Sequence, residues 1–188
     1  MNVRTTRLML PLALSLAVAP AALGGELAGV KVPDTTTVAG KTLKLNGMGL
    51  RKKAVFKVYV GALYLEAASK DAAAVIAADA PKSMGMHFLR SIEKAKLVDA
   101  FKEGFEANAP PKLAAQKANL DKMYGMVVDV KEGNSLVFTY VPGTGTVVSR
   151  DGKDVGTIEG KDFAETLFSL WFGPKPPSED LKKGLLGL

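Results

Sequence analysis

The sequence predicts an α+β domain in which helices cover one face of an antiparallel sheet. Three features carry that expectation. Three or four early runs read as strands, three more close the chain, and helical patterning fills the middle. The run AVFKVYVGALYLE is apolar on both of its faces, as a central strand with a layer on each side must be.

Taken in order, TTTVAGKTLKLNGMGL reads as two short strands with a turn at Ala39-Gly40. The β-branched and aromatic residues of the next run suit a pleated surface. Strict alternation puts Phe56, Val58, Val60, Ala62 and Tyr64 on one face, and Val55, Lys57, Tyr59, Gly61 and Leu63 on the other. DAAAVIAAD is a short helix with Ser69 as its candidate cap, and KSMGMHFLR, after Pro81, is a strand. SIEKAKLVDAFKEGFEANAPP carries an apolar stripe of Ile92, Leu97, Phe101 and Phe105. Ser91 is its candidate cap, and Asn108 with Pro110-Pro111 is its stop. A second helix is expected from 113 to about 124, while 127–130 fits either a strand or a helix end. SLVFTYV, TVVSR and VGTIE are strands joined by PGTG and by Asp151-Gly152, whose glycine supplies the positive φ of a tight hairpin. KDFAETLFSLWFG is an amphipathic helix that buries Phe163, Leu167, Leu170 and Trp171 and stops at Gly173; SEDLKKGLLGL is a capped closing helix.

A length of 188 residues suits one domain after processing, and 47% hydrophobic content excludes a disordered chain. The absence of cysteine excludes disulfides, thiolate metal sites, a cysteine nucleophile and a lipidated N-terminal cysteine. Residues 1–24 read as a secretory signal peptide. Arg4 and Arg7 precede an apolar stretch at 8–18, shorter than the ~20 residues a spanning helix needs. The small residues of AVAPAALGG follow, with cleavage expected after Ala22 or Gly24. The domain would then occupy 25–188, and a bacterial periplasm fits. No later stretch is long and apolar enough to span a membrane. Removing Arg4 and Arg7 takes the formal charge from +6 to +4. The remaining lysines alternate with acids, which marks a solvated helix face rather than a nucleic-acid footprint and leaves room for weak contact with anionic membrane surfaces.

Three segments occur in an order that covers most of the chain beyond the leader: LNGMGLRKKAVFKVYVGALYLE, MHFLRSIEKAKLVDAFKEGFEAN and SLVFTYVPGTGTVVSRDGKDVGTIEGKDFAETLFSLWFGPKPPSEDLKKGLLG. Together they resemble the chalcone isomerase-like family. W-F-G-x-K-P followed by LKKGLLG looks closest to its bacterial exported branch. The resemblance implies an open-faced antiparallel sheet packed against a layer of helices, with a ligand cleft between them. The family includes plant enzymes that close a flavanone ring, plastid proteins that bind fatty acids without chemistry, and mitochondrial relatives similar to haem-binding proteins. Its arginine for the anionic oxygen matches Arg51, and the tyrosine of the fatty-acid binders falls on Tyr59, where the enzymes carry threonine. The enzymes' helix tyrosine, lysine and asparagine fall on Leu97, Ala100 and Gly104, and their late threonine at about Leu170. The resemblance therefore implies an anion pair without the proton-handling groups, closer to the fatty-acid-binding type.

The chemistry of that pair is sound. A guanidinium can form a bidentate fork to a carboxylate, and a phenol adds a donor. Eight residues of straight strand would hold Arg51 and Tyr59 about 26 Å apart, so the chain must turn near 52–54 for them to meet. Taken alone, Arg51 reads as one of three solvated turn cations with Lys52 and Lys53; the resemblance makes it the anchor. Arg90, where a strand meets a helix, is either a second cleft cation or a capping residue. Phe101, Phe105, Leu167 and Trp171 would cover an apolar tail. His87 is a possible haem or metal ligand, although its place in a strand between Met86 and Phe88 also suits a structural histidine. The expected function is non-catalytic binding of a small amphipathic anion such as a fatty acid, with no catalytic residue, metal or required cofactor assigned. An isomerase or intramolecular lyase of unknown substrate and a haem binder are the alternatives.

Overall fold

The computed structural model describes residues 23–188. Of the leader expected over 1–24, only Leu23 and Gly24 fall within them, at the start of a strand; the rest lies outside the described residues. Seven strands form one antiparallel sheet in chain order: β3 (Thr35–Val38), β4 (Lys41–Lys53), β5 (Phe56–Leu65), β6 (Lys82–Phe88), β7 (Ser135–Val141), β8 (Gly145–Arg150) and β9 (Lys153–Ile158). Five helices join or follow them: α1 (Ala72–Ala77), α2 (Lys94–Asn108), α3 (Leu113–Met126), α4 (Lys161–Phe172) and α5 (Glu179–Leu185). A separate hairpin, β1 (Leu23–Leu27) with β2 (Val30–Pro33), packs on the other side of the sheet. The main core lies between sheet and helices, around Leu63, Met84, Phe138, Phe163, Phe168 and Trp171. A smaller cluster of Val32, Val38, Leu43, Ala62 and Tyr64 fills the opposite face, where the Tyr64 hydroxyl donates to the Pro33 carbonyl at 2.8 Å. The central strand is thus covered twice, as its two apolar faces require.

The tight turns fall where the sequence puts them. Ala39-Gly40 and Asp151-Gly152 both carry positive φ, and Ala54 does so between β4 and β5. Two caps differ. Asp71, not Ser69, caps α1, its carboxylate accepting from Ala73 N and Ala74 N, because Ser69 is used one step earlier to accept from Asp71 N. Ser91 lies outside α2, and the carboxylate of Asp129 accepts from Lys94 N at 2.7 Å in its place. Val130 bridges to Ile92, which makes 127–130 extended rather than helical.

The alternation expected for β5 fails at one point. Arg51 pairs with Tyr59, yet Lys52 pairs with Lys57, so Val58 is an extra residue: a β-bulge. A bulge shifts the phase of every side chain beyond it. Phe56 and Val58 consequently join Tyr59 on the helix side, not the face shared by Ala62 and Tyr64. A second irregularity at Asn46 turns Gly47, Gly49 and Arg51 toward the helices after Leu45 has faced away.

Those glycines explain the G-x-G of β4. A β-carbon on Gly49 would lie 2.3 Å from the Leu181 carbonyl oxygen, and one on Gly47 would lie 2.2 Å from that of Gly184. Helix α5 rests on bare strand backbone. Asn46 secures it, donating to the Leu185 carbonyl at 2.8 Å and exchanging bonds with the backbone of Ser69.

A buried cation ties α1 to the sheet. Lys82 is 1% exposed, and its ammonium donates to the carbonyls of Val75, Ile76 and Ala78 at 2.7, 2.9 and 3.0 Å. All three donors are therefore used, on the C-terminal carbonyls of a helix. The ammonium also sits 4.9 Å from the Phe168 ring centroid. Burial lowers its pKa from the usual 10.5 to about 8, opposed by Glu165 and Asp79 and reinforced by Lys161.

Two outcomes follow from this packing. Gly49→Ala forces α5 off the strand and lowers unfolding free energy by at least about 1–3 kcal/mol, read from urea denaturation; an unchanged midpoint would contradict the docking. For Lys82, the folded state holds fewer protons than the unfolded chain between about pH 8 and pH 10.5, so this group's contribution to stability rises across that window. The desolvation cost, about 3 kcal/mol, is fully present below pH 8. The stability of the wild type relative to Lys82→Met should increase from about pH 7 to about pH 10, before the buried tyrosines begin to titrate. A difference that does not change with pH would refute a buried ammonium.

Candidate ligand-binding cleft

Between the helix-side face of β4–β6 and the helices α2 and α4 lies a cleft of about 760 Å³, within the range of small-molecule sites. Its walls are mostly apolar: Val58, Tyr59, Met86 and Phe88 from the sheet, Leu97 and Phe101 from α2, Leu170 and Trp171 from α4. The bulge makes the sheet wall continuous, because without it Val58 would point away. At the mouth stand Arg51, Lys53, Arg90, Lys96, Lys131 and Lys175, against the carboxylates of Glu93, Glu103 and Asp129. Two of those acids are engaged, Glu93 with Lys96 at 3.4 Å and Asp129 with the start of α2.

The two-residue turn after Lys53 brings Arg51 directly opposite Tyr59, as the expected reversal near 52–54 requires. Arg51 is half-buried on the cleft wall. Its guanidinium donates to the Lys52 carbonyl and has no carboxylate partner among the described residues. Tyr59 is only 6% exposed, set edge-on to Phe88, and its hydroxyl accepts from Trp171 Nε1 at 3.1 Å. That hydroxyl donates to no described residue, so its proton is free for a ligand. Burial raises its pKa to about 12, with the Trp171 bond and the Arg51 charge pulling back. The phenol therefore stays a neutral donor across the physiological range.

Arg90 is exposed at the mouth, its guanidinium carbon 4.7 Å above the Phe56 ring. Phe101 and Trp171 line the cleft; Phe105 and Leu167 are buried in the core and do not reach its wall. Leu97, Ala100 and Gly104 of α2 and Leu170 of α4 all face the cleft, while α2 also gives Phe101 to its wall and Lys96 and Glu103 to its mouth. His87 alternates with Met86 and Phe88 and points to the other side of the sheet, above Gly85, away from this cavity. Among the described residues no cluster of three or more His, Cys, Asp or Glu could hold a metal ion. The candidate site residues named from the sequence do not include Val58, Phe56, Met86 or Phe88. The alternation of Met84, Met86 and Phe88 in β6 signals two of them; the other two are hidden by the bulge.

A family model described as chalcone isomerase-like matches residues 24–187. The chain belongs to the chalcone isomerase-like family. Among solved structures, a fatty-acid binding protein of Arabidopsis thaliana is similar to this chalcone isomerase-like chain with a TM-score of 0.66 and 14% identity, over 84% of this chain and 92% of that one. At that identity the likeness establishes the fold. No curated protein matches the sequence.

The Tyr59–Trp171 bond is open to direct measurement. Tyr59→Phe leaves a buried indole N–H without its acceptor, and a loss of about 1–3 kcal/mol in unfolding free energy is expected. A variant as stable as the wild type would show that the indole has another partner.

Proposed function

We propose that the protein binds a small amphipathic anion of the fatty-acid class in the cleft, without transforming it. The observation that carries this reading is the pairing of the half-buried Arg51 guanidinium with the unused Tyr59 proton at the edge of a cavity whose walls are mostly apolar. A guanidinium that lacks a carboxylate partner favours an anion beside it, and a neutral phenol supplies a second donor. The apolar walls then suit an alkyl chain. The similarity of fold to a fatty-acid binding protein supports the same ligand class. The positions that match the enzymes' helix tyrosine, lysine and asparagine hold Leu97, Ala100 and Gly104, none of which can transfer a proton, and this supports a binding role. The leader expected at 1–24 supports an exported, periplasmic protein.

Trp171 is the chain's single tryptophan and lines the cleft, so its emission reports occupancy. Titration with a long-chain fatty acid should change that emission saturably. Arg51→Ala should weaken the affinity roughly ten- to hundredfold, the loss expected for a hydrogen bond to a charged group. Equal affinity in the variant would remove Arg51 from head-group recognition.

A further inference from the structure

The turn between β4 and β5 combines exposed apolar side chains with clustered cations. Val55 is 86% exposed and Phe56 57%, and they stand side by side at the hairpin tip. Both rank among the few large apolar side chains exposed in the described residues. Cations surround them: Arg51, Lys52 and Lys53 on one strand, Lys57 on the other, and Arg90 stacked on the Phe56 ring. From 41 to 65 the sequence contains no Asp or Glu, and none of these five cations has a carboxylate partner among the described residues. The tip also borders the cleft, since Arg51, Lys53 and Phe56 belong to both.

We propose that this hairpin tip is a membrane-docking element that seats the cleft mouth on an anionic lipid bilayer. Two adjacent apolar side chains within a cationic collar match the headgroup–acyl boundary, where the side chains enter and the collar meets anionic headgroups. The carboxylates of the mouth, Glu93, Glu103 and Asp129, lie at the start of α2, on α2 and in the segment before β7 rather than on the tip. A protein partner fits less well, because a stable interface buries about 800 Å² per side and the tip offers two apolar residues. A bilayer needs no complementary shape. Docking in this pose would let an amphipathic anion pass between bilayer and cleft with its head group beside cations throughout. That last consequence rests on the ligand reading above; the docking itself does not.

The chain has no cysteine, so Val55→Cys gives a unique labelling site, and Thr144→Cys, in the β7–β8 turn at the opposite end of the sheet, gives its control. Each would carry an environment-sensitive fluorophore and be mixed with vesicles of phosphatidylcholine plus phosphatidylglycerol, or of phosphatidylcholine alone. A blue shift is expected only at position 55 and only with the anionic vesicles, and it should weaken as salt is added. In vesicle flotation of the unlabelled protein, Val55→Asp and the double variant Lys52→Gln, Lys57→Gln should each reduce binding about tenfold or more. None of these residues lines the cleft, so fatty-acid affinity in solution and Trp171 emission should be unchanged. Equal partition into both vesicle types, an equal response at position 144, or full binding by Val55→Asp would overturn the proposal. Vesicle binding without fatty-acid binding would sink only the ligand reading; fatty-acid binding without vesicle binding would sink only this one.

Discussion

A β-strand carries its side chains in strict alternation, so one surplus residue reverses the meaning of everything beyond it. β4 and β5 use that rule twice. The irregularity at Asn46 turns two glycines and Arg51 inward, and the bulge at Val58 turns an extra apolar pair inward beside Tyr59. Helix docking and cleft both depend on this phase. If Asn46 were paired regularly, Gly47 and Gly49 would face away, and α5 could not approach the strand. If Val58 were paired regularly, the cleft would lose part of its sheet wall and Phe56 would leave the mouth.

Most polar groups inside the molecule follow a second constraint, that a buried donor or acceptor needs a partner. Lys82 spends its three donors on helix carbonyls, and Asn108 bridges Gly104 and Lys175 to hold the end of α2 against the segment after α4. Tyr140 donates to Asp79 at 2.6 Å, and Glu165 joins Lys112 to α4 at 2.7 Å. Tyr59 is the contrast. Its hydroxyl accepts one bond and donates none among the described residues, and it does so beside the cavity. Thr146 Oγ1 and Arg150 Nε are buried with no partner among the described residues, but of these three residues only Tyr59 lines the cleft.

Most of the fold was legible because it rests on local rules. Alternation, the Ala39-Gly40 and Asp151-Gly152 turns, the Asn108 and Gly173 stops and the Ser178 cap each involve residues close in sequence. What escaped involves distant partners or a phase error. Asp129 capping α2 from 35 residues away has no local signal, nor has Lys82 reaching the end of α1 from a strand. The β1–β2 hairpin was hidden because its first residues read as the end of a leader. At the site, the Arg51–Tyr59 reversal was legible from the turn residues and the family resemblance. Phe56 and Val58 were not, since no residue type announces a bulge. Phe105 and Leu167 share an apolar stripe with cleft residues, and helical periodicity cannot separate the part of a stripe that lines a void from the part that fills a core.

The bond from Asn46 to the Leu185 carbonyl joins groups 139 residues apart. Helix α5 and the glycine strand can recognise each other only after nearly the whole domain has been synthesised. Contacts of such separation form late and slow a folding reaction, because a long loop must close before they contribute. Until then β4 keeps an uncovered face and the segment beside the cleft lacks its final brace. The glycines of β4 thus act in time as well as in space: they make completion of the sheet wait for a helix encoded near the other end of the domain.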